Sequence, residues 1–157
     1  MVKLVPMTQE AFEDYLAKSL PAYAADKVVA QEWPSEKSSE LARKELSNML
    51  PKGVETSNNF LFSIENEERK VGMIWFAKYE RHGVPLAYLC DIYIENNHRR
   101  RGFASSAIHA VEEKAKALGL SGIVLHVFGH NESAQGLYEK LGYQKTNIMM
   151  FKEIDVV

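Results

Sequence analysis

One segment constrains this chain more than any other: an apolar run that ends in an arginine-rich turn and restarts as a helix. Leu89, Ile92 and Ile94 lie in the strand-like part. Asn96-Asn-His-Arg99-Arg100-Arg101 follows, and after Gly102 the apolar spacing becomes helical. A strand that enters a glycine-containing turn and then a helix start leaves backbone N–H groups without partners. It also points the positive end of the helix dipole at the turn. Three arginines beside those groups suit a pyrophosphate, so the segment reads as an anion site. Neither common nucleotide fingerprint occurs, since the chain has no Gly-x-x-x-x-Gly-Lys-Ser/Thr and no Gly-x-Gly-x-x-Gly.

The rest of the chain is that of an ordinary globular protein. Its 157 residues suit one domain, 1–157, and are 46% hydrophobic and 25% charged. A net charge of −2 gives no global field that would draw it to nucleic acid or an anionic membrane. The lone cysteine, Cys90, has no partner for an internal disulfide. Met1-Val-Lys-Leu-Val-Pro6 has no secretory pattern, and no apolar run approaches the ~20 residues that span a bilayer. The expected location is cytoplasmic.

Read along the chain, residues 2–5 suggest a short edge strand closed by Pro6. Thr8 can cap a helix from Gln9 with Phe12, Leu16, Leu20 and Tyr23 inward, kinked or broken at Pro21. A second helix is expected from Pro34 or Ser35 to the residue before Pro51, with Leu41, Leu46, Met49 and Leu50 inward. Residues 51–59 have loop composition. Strands are expected at Phe60–Glu65, Val71–Tyr79 and Leu86–Glu95, joined by turns at 66–70 and 81–85. A helix from about Arg101 to Leu118 places Ala104, Ile108, Val111, Ala115 and Leu118 on one face, with Gly119 after it. A strand at Ile123–Phe128, a helix at Asn131–Leu141 and a last strand at Tyr143–Lys152 complete the order. The expected class is α/β, a single mixed, mostly antiparallel twisted sheet flanked by helices.

Within this order, Arg99-x-x-Gly102-x-Ala104 resembles the Arg/Gln-x-x-Gly-x-Gly/Ala signature of the GNAT superfamily of N-acetyltransferases. A second stretch, Asn131-Glu-Ser-Ala-Gln-Gly-Leu-Tyr138-Glu-Lys-Leu-Gly142-Tyr, is similar to that family's passage from its fifth strand into its fourth helix. The element order resembles the GNAT fold over nearly the full length. The resemblance implies acetyl-CoA as co-substrate. Arg99, Arg100, Arg101, Gly102, Phe103, Ala104 and Ser105 would wrap its pyrophosphate, mainly through backbone N–H groups. The backbone of Ile92, Tyr93 and Ile94 would pair with the pantetheine arm, which Asn131 would also bond. A solvated basic turn, ordinary sheet core and a plain helix cap are the competing readings of these residues.

The same resemblance makes Tyr138 the acid that protonates the leaving thiolate, against a simple aromatic packing role. Its unperturbed pKa of about 10 suits donation at neutral pH. The family's histone-modifying branch keeps a glutamate further upstream on the central strand, where this chain has Tyr88. Glu95 is therefore the candidate base, with a solvated strand-end carboxylate as the alternative. Asp91 shares the face of Tyr93 and Glu95 only if no bulge intervenes. His126 and His130 lack companions at ligand spacing, so no metal is expected. Cys90, next to Asp91, is a poor nucleophile. Tyr15, Tyr23 and Trp33 read as core or acceptor pocket.

The function implied is transfer of an acetyl group from acetyl-CoA directly to a primary amine of a small molecule or peptide. Acidic residues near the expected acceptor turns favour a cationic amine. The alternative is a non-catalytic domain that senses acetyl-CoA. No nucleic acid or membrane partner is expected, and a homodimer is possible by analogy with relatives.

Overall fold

A computed structural model describes residues 1–155. Its elements in chain order are β1 (Lys3–Pro6), α1 (Gln9–Val29), α2 (Ser38–Met49), β2 (Asn59–Asn66), β3 (Arg69–Arg81), β4 (Val84–Ile94), α3 (Phe103–Ala117), β5 (Ile123–Leu125) and α4 (Glu132–Lys140). The five strands form one sheet in sequence order, antiparallel from β1 to β4 and parallel between β4 and β5. The mixed sheet flanked by helices is the expected architecture.

Period-two alternation divides the side chains between two cores. Phe62, Ile64, Ile74, Phe76, Ala87 and Leu89 face α3, where Ala107, Ile108, Val111 and Ala115 meet them. Leu61, Met73 and Trp75 point the other way, against Phe12 and Tyr15 of α1 and Leu50 after α2. Two tight hairpins fix the register. Glu67-Glu68 and His82-Gly83 all have positive φ, as a two-residue type I′ turn requires. Gly72 is also obligatory, because a Cβ there would lie 2.1 Å from the Tyr93 carbonyl oxygen on β4.

Several expectations need correction. α1 neither breaks nor stops at Pro21 but runs through it to Val29. Pro21 is exposed, so the carbonyl it leaves unpaired faces water, while Phe12, Tyr15 and Ala24 anchor the helix on either side. α2 begins at Ser38, after a 3-10 turn at Ser35–Lys37. The 51–59 loop contains another such turn at Gly53–Glu55. Met49 and Leu118 end their helices with side chains 41% exposed, not inward. α3 starts at Phe103, since Gly102 sits at φ 78° in the left-handed region and cannot continue a helix backward. β5 stops at Leu125, and Tyr143–Lys152 forms no strand. A strand persists only where a neighbour takes up its backbone groups. β5 has β4 alone, and only as far as Leu89↔Leu125.

No helix of the described residues is long and apolar enough to cross a membrane.

The contact at Gly72 gives a stability test. Gly72→Ala is expected to cost about 1–3 kcal/mol, because β3 must move away from β4. Urea unfolding that gives the wild-type midpoint would contradict the close approach.

Candidate active site

The site begins where β4 and β5 part. Their pairing covers Ala87, Tyr88 and Leu89 and then stops, whereas β4 stays paired with β3 through Ile94. From Cys90 onward, one edge of β4 is therefore open. Glu95 N–H donates to Val71 O on the β3 side at 2.8 Å. By the two-residue alternation of an antiparallel ladder, the N–H groups of Ile92 and Ile94 then point into the open fork.

The register also shifts at this place. Trp75 faces Asp91 and Phe76 faces Leu89, so Cys90 is an extra residue in β4. Such a bulge turns two successive side chains to one face. Cys90 packs with the α1-side core, as does Tyr93, and Asp91 also faces α1. Tyr15 on α1 donates its hydroxyl proton to Asp91 Oδ2 at 2.7 Å. Burial raises the Asp91 carboxyl above its ordinary value, against the lowering effects of the Tyr15 bond and the Ile92 N–H. Tyr15 itself is pushed well up, first by burial and then by the Asp91 charge. Burial, with Asp91 adding to it, lifts the Cys90 thiol to about 12, which leaves it unreactive at neutral pH.

Beyond β4, a 3-10 turn at Asn96–His98 and the residues to Gly102 lead into α3. Arg100 and Gly102 both have positive φ. No side chain caps α3, and its first intrahelical bond runs from Ser106 N–H to Gly102 O at 3.1 Å. That leaves the N–H groups of Phe103, Ala104 and Ser105 open at the positive helix end. Nothing lies within 4 Å of where a Gly102 side chain would begin, so the approach is clear. The three arginines divide their tasks. Arg99 Nε donates to Ile94 O at 2.8 Å, and its guanidinium lies 5.4 Å from the Tyr93 ring centroid, which ties the turn to β4. Arg100 is exposed. Arg101 lines a cavity with His98, Phe103 and the Asn66–Arg69 end of the β2–β3 hairpin.

The other arm of the fork continues past β5 into α4. Asn131 Oδ1 accepts from Ala134 N–H at 3.2 Å and so caps α4, which leaves its amide N–H groups for a ligand. Tyr138 is half-buried on α4, its ring 5.8 Å from that of Tyr143. Burial first, and then the Asp91 charge, raise its hydroxyl to about 12. Asp91 is thus the carboxylate whose field Tyr138 feels. Glu95 lies beyond the end of β4, where its backbone N–H and C=O are taken by Val71 and His98. The Tyr15–Asp91 pair escaped sequence reasoning, because only the bulge aims Asp91 at α1. The adjacent Cys90-Asp91 in a strand pattern was the one available hint.

On the α1 side of the fork, Lys27 Nζ lies 5.5, 5.3 and 6.0 Å from the ring centroids of Tyr23, Trp33 and Phe128. Glu32 bonds it at 2.6 Å. Tyr23 donates to Glu45 at 3.1 Å, and His130 pairs with Asp26 at 2.9 Å. Among the described residues, no cluster of His, Cys, Asp and Glu could hold a metal ion.

Comparison with known proteins identifies the family and the fold. The sequence model of the Acetyltransferase (GNAT) family matches residues 13–143. The chain is 34% identical to the uncharacterized N-acetyltransferase YycN of Bacillus subtilis, over 98% of this chain and 99% of that one. It is 32% identical to YdgE of the same organism, over 96% and 97%. The crystal structure of YycN superposes with a TM-score of 0.94, covering 99% of this chain and 100% of that chain. The fold is also that of the aminoglycoside N-acetyltransferase AAC(6')-Iy, solved in complex with CoA. That match is 15% identical, with a TM-score of 0.63 over 99% of this chain and 96% of the other.

The raised Asp91 carboxyl makes a stability prediction. Its folded pKa lies above the unfolded value of about 4, so its contribution is present below that value and lost as pH rises through the raised one. At neutral pH the buried charge therefore weakens the fold. Asp91→Asn keeps an acceptor for Tyr15 and is expected to raise Tm at neutral pH, with no gain in strong acid. Thermal melts that show a lower Tm at neutral pH would contradict this.

Proposed function

The chain belongs to the GNAT acetyltransferase family and is an acyltransferase, and from that premise we propose that it moves an acetyl group from acetyl-CoA directly to a primary amine. The observation that carries the proposal is the fork. It combines a half-open β4 edge with an uncapped, unobstructed α3 N-terminus at one end. The edge suits the amides of a pantetheine arm, as an added strand would, and the helix start suits the pyrophosphate. The solved CoA complex of AAC(6')-Iy, which shares the fold, supports CoA as the carrier.

In the proposed reaction, a neutral amine attacks the thioester carbonyl carbon. A C–N bond forms while the carbonyl π electrons move to oxygen. An N–H of β4 in the fork stabilises that oxyanion. Asp91, in its ionised form, accepts the proton the amine loses. The oxyanion collapses, the C–S bond breaks, and Tyr138 gives its hydroxyl proton to the departing sulfur. The resulting phenolate, whose conjugate acid has a pKa of about 12, recovers a proton from the Asp91 carboxyl or from water. Tyr138 is therefore protonated throughout the neutral range, as an acid must be. The inert Cys90 thiol supports direct transfer over an acyl-cysteine route.

Asp91 is preferred to Glu95 as the base for two reasons. It faces α1 at the mouth of the fork, and its raised pKa brings it nearer the working pH. The acceptor proposed is a cationic small molecule or peptide amine. Tyr23, Trp33 and Phe128 with Glu32 already hold one ammonium, that of Lys27, on the acceptor side.

Steady-state rates of thiol release with a panel of amines test the assignment. Tyr138→Phe is expected to lower kcat roughly 100-fold or more with little change in acetyl-CoA affinity. Unchanged turnover would remove Tyr138 as the acid. Asp91→Asn should abolish the acid limb of the kcat/KM pH profile. A limb lost instead in Glu95→Gln would move the base to Glu95.

A further inference from the structure

The ammonium of Lys27 sits in a site built for a cation. Tyr23, Trp33 and Phe128 surround it, their ring centroids 5.5, 5.3 and 6.0 Å from Nζ, and the Glu32 carboxylate bonds it at 2.6 Å. The rings stand at angles to one another, 89° between Tyr23 and Trp33 and 52° between Tyr23 and Phe128, so they form separate walls and not a stack. Ring faces with a carboxylate are a recognition set for an ammonium ligand. Lysine is seldom so enclosed, yet the Lys27 side chain is only 15% exposed.

None of the walls depends on the amine they enclose. The turn after α1 is held by main-chain bonds, since the N–H groups of Glu32 and Trp33 both donate to Lys27 O, at 3.0 and 3.3 Å. The Tyr23 hydroxyl donates to Glu45 at 3.1 Å. Phe128 O accepts from the Gln135 amide at 3.1 Å, and its ring stacks on His130, which is bonded to Asp26 at 2.9 Å. The cage therefore keeps its shape when Nζ swings out to water on its flexible four-carbon stem. Its place in the fold matters as well. Phe128 follows β5 and Tyr23 lies on α1, so the cage bridges the α1 side of the fork. Asp26, one residue before Lys27, is near enough to Asp91 that its charge adds to the burial that raises that carboxyl.

We propose that the cage is the subsite for a second, protonated amine of the acceptor, and that Lys27 is its resident placeholder. This rests on the acetyl-transfer reading and narrows the acceptor to a diamine. One nitrogen, neutral, attacks the thioester in the fork. The other, as an ammonium, displaces Lys27 and is held between the rings and Glu32. A monoamine can occupy the fork or the cage but not both. The tethered Lys27 competes with every entering cation, so apparent affinity falls with the fraction of time the cage is full.

The two tryptophans of the chain make the test direct. Trp33 belongs to the cage, while Trp75 is buried in the core with its indole N–H on Asn59 at 2.8 Å. The full chain is titrated with linear diamines from diaminobutane to diaminooctane, and the two indole N–H signals are followed by NMR. A diamine of the series is expected to move the Trp33 signal and not that of Trp75, which reports an intact fold. Lys27→Met, which keeps the apolar stem, should tighten this binding at least tenfold, and adding Glu32→Gln should reverse the gain. In thiol-release assays the advantage of that diamine over butylamine in kcat/KM should grow in Lys27→Met, with acetyl-CoA affinity unchanged. A Trp33 signal that no diamine moves in Lys27→Met overturns the proposal. So does affinity no better than wild type, because Lys27 is then a strut, and so does equal kcat/KM for diamine and monoamine. Binding at Trp33 with no thiol release from any amine would contradict acetyl transfer instead, and the cation site with its placeholder would still be shown.

Discussion

Everything at this site depends on one event in the sheet, the parting of β4 from β5 after Leu89. Pairing on both sides would bury the edge of β4 in backbone hydrogen bonds and leave nothing for a ligand. Pairing on neither side would leave no rigid strand. β4 is instead held by β3 as far as Ile94 and released by β5 from Cys90 onward. The bulge falls at the same residue. An inserted residue bends and twists a strand locally, which separates it from a parallel neighbour that does not bend with it. One irregularity thus accounts for the open edge and for the direction of Asp91.

The electrostatics follow from that placement. The Asp91 carboxyl is held in a poorly solvated position between α1 and the fork, with Tyr15 as its donor. Its charge reaches Tyr138, from the other arm, and adds to the burial that keeps the phenol protonated. In the proposed reaction, the carboxyl pushed upward toward neutrality serves as base and the phenol pushed further from it as acid. This separation of proton affinities by environment is a common mark of acid–base sites. The cost is borne by stability, since a buried carboxylate weakens the fold at neutral pH.

Much of this was legible in the sequence, and what was not has identifiable causes. The strand, turn and helix around Gly102 could be read because local chemistry dictates them: a glycine at positive φ and three arginines at a helix start. Arg99 was expected to wrap the phosphate mainly through its backbone, and the bond of its Nε to Ile94 O is an addition that only the folded turn brings about. Pro21 was expected to kink or break α1, and α1 is not broken there, because its exposed position lets the unpaired carbonyl be solvated. The bulge at Cys90 left no trace beyond the polar Cys90-Asp91 pair within a strand pattern, because it is a matter of register between strands and not of composition. Tyr143–Lys152 reads as a strand by pattern and is not one in the single chain, because a strand is a property of a pair.

The central claim is that the fork and the α3 N-terminus bind an acyl-CoA thioester. Isothermal titration of the purified protein with acetyl-CoA tests it most directly. The account predicts saturable 1:1 binding at about micromolar Kd. It also predicts at least tenfold weakening in Ala104→Asp, which puts a carboxylate against the open N–H groups. Absence of binding, or equal affinity in that variant, would contradict it.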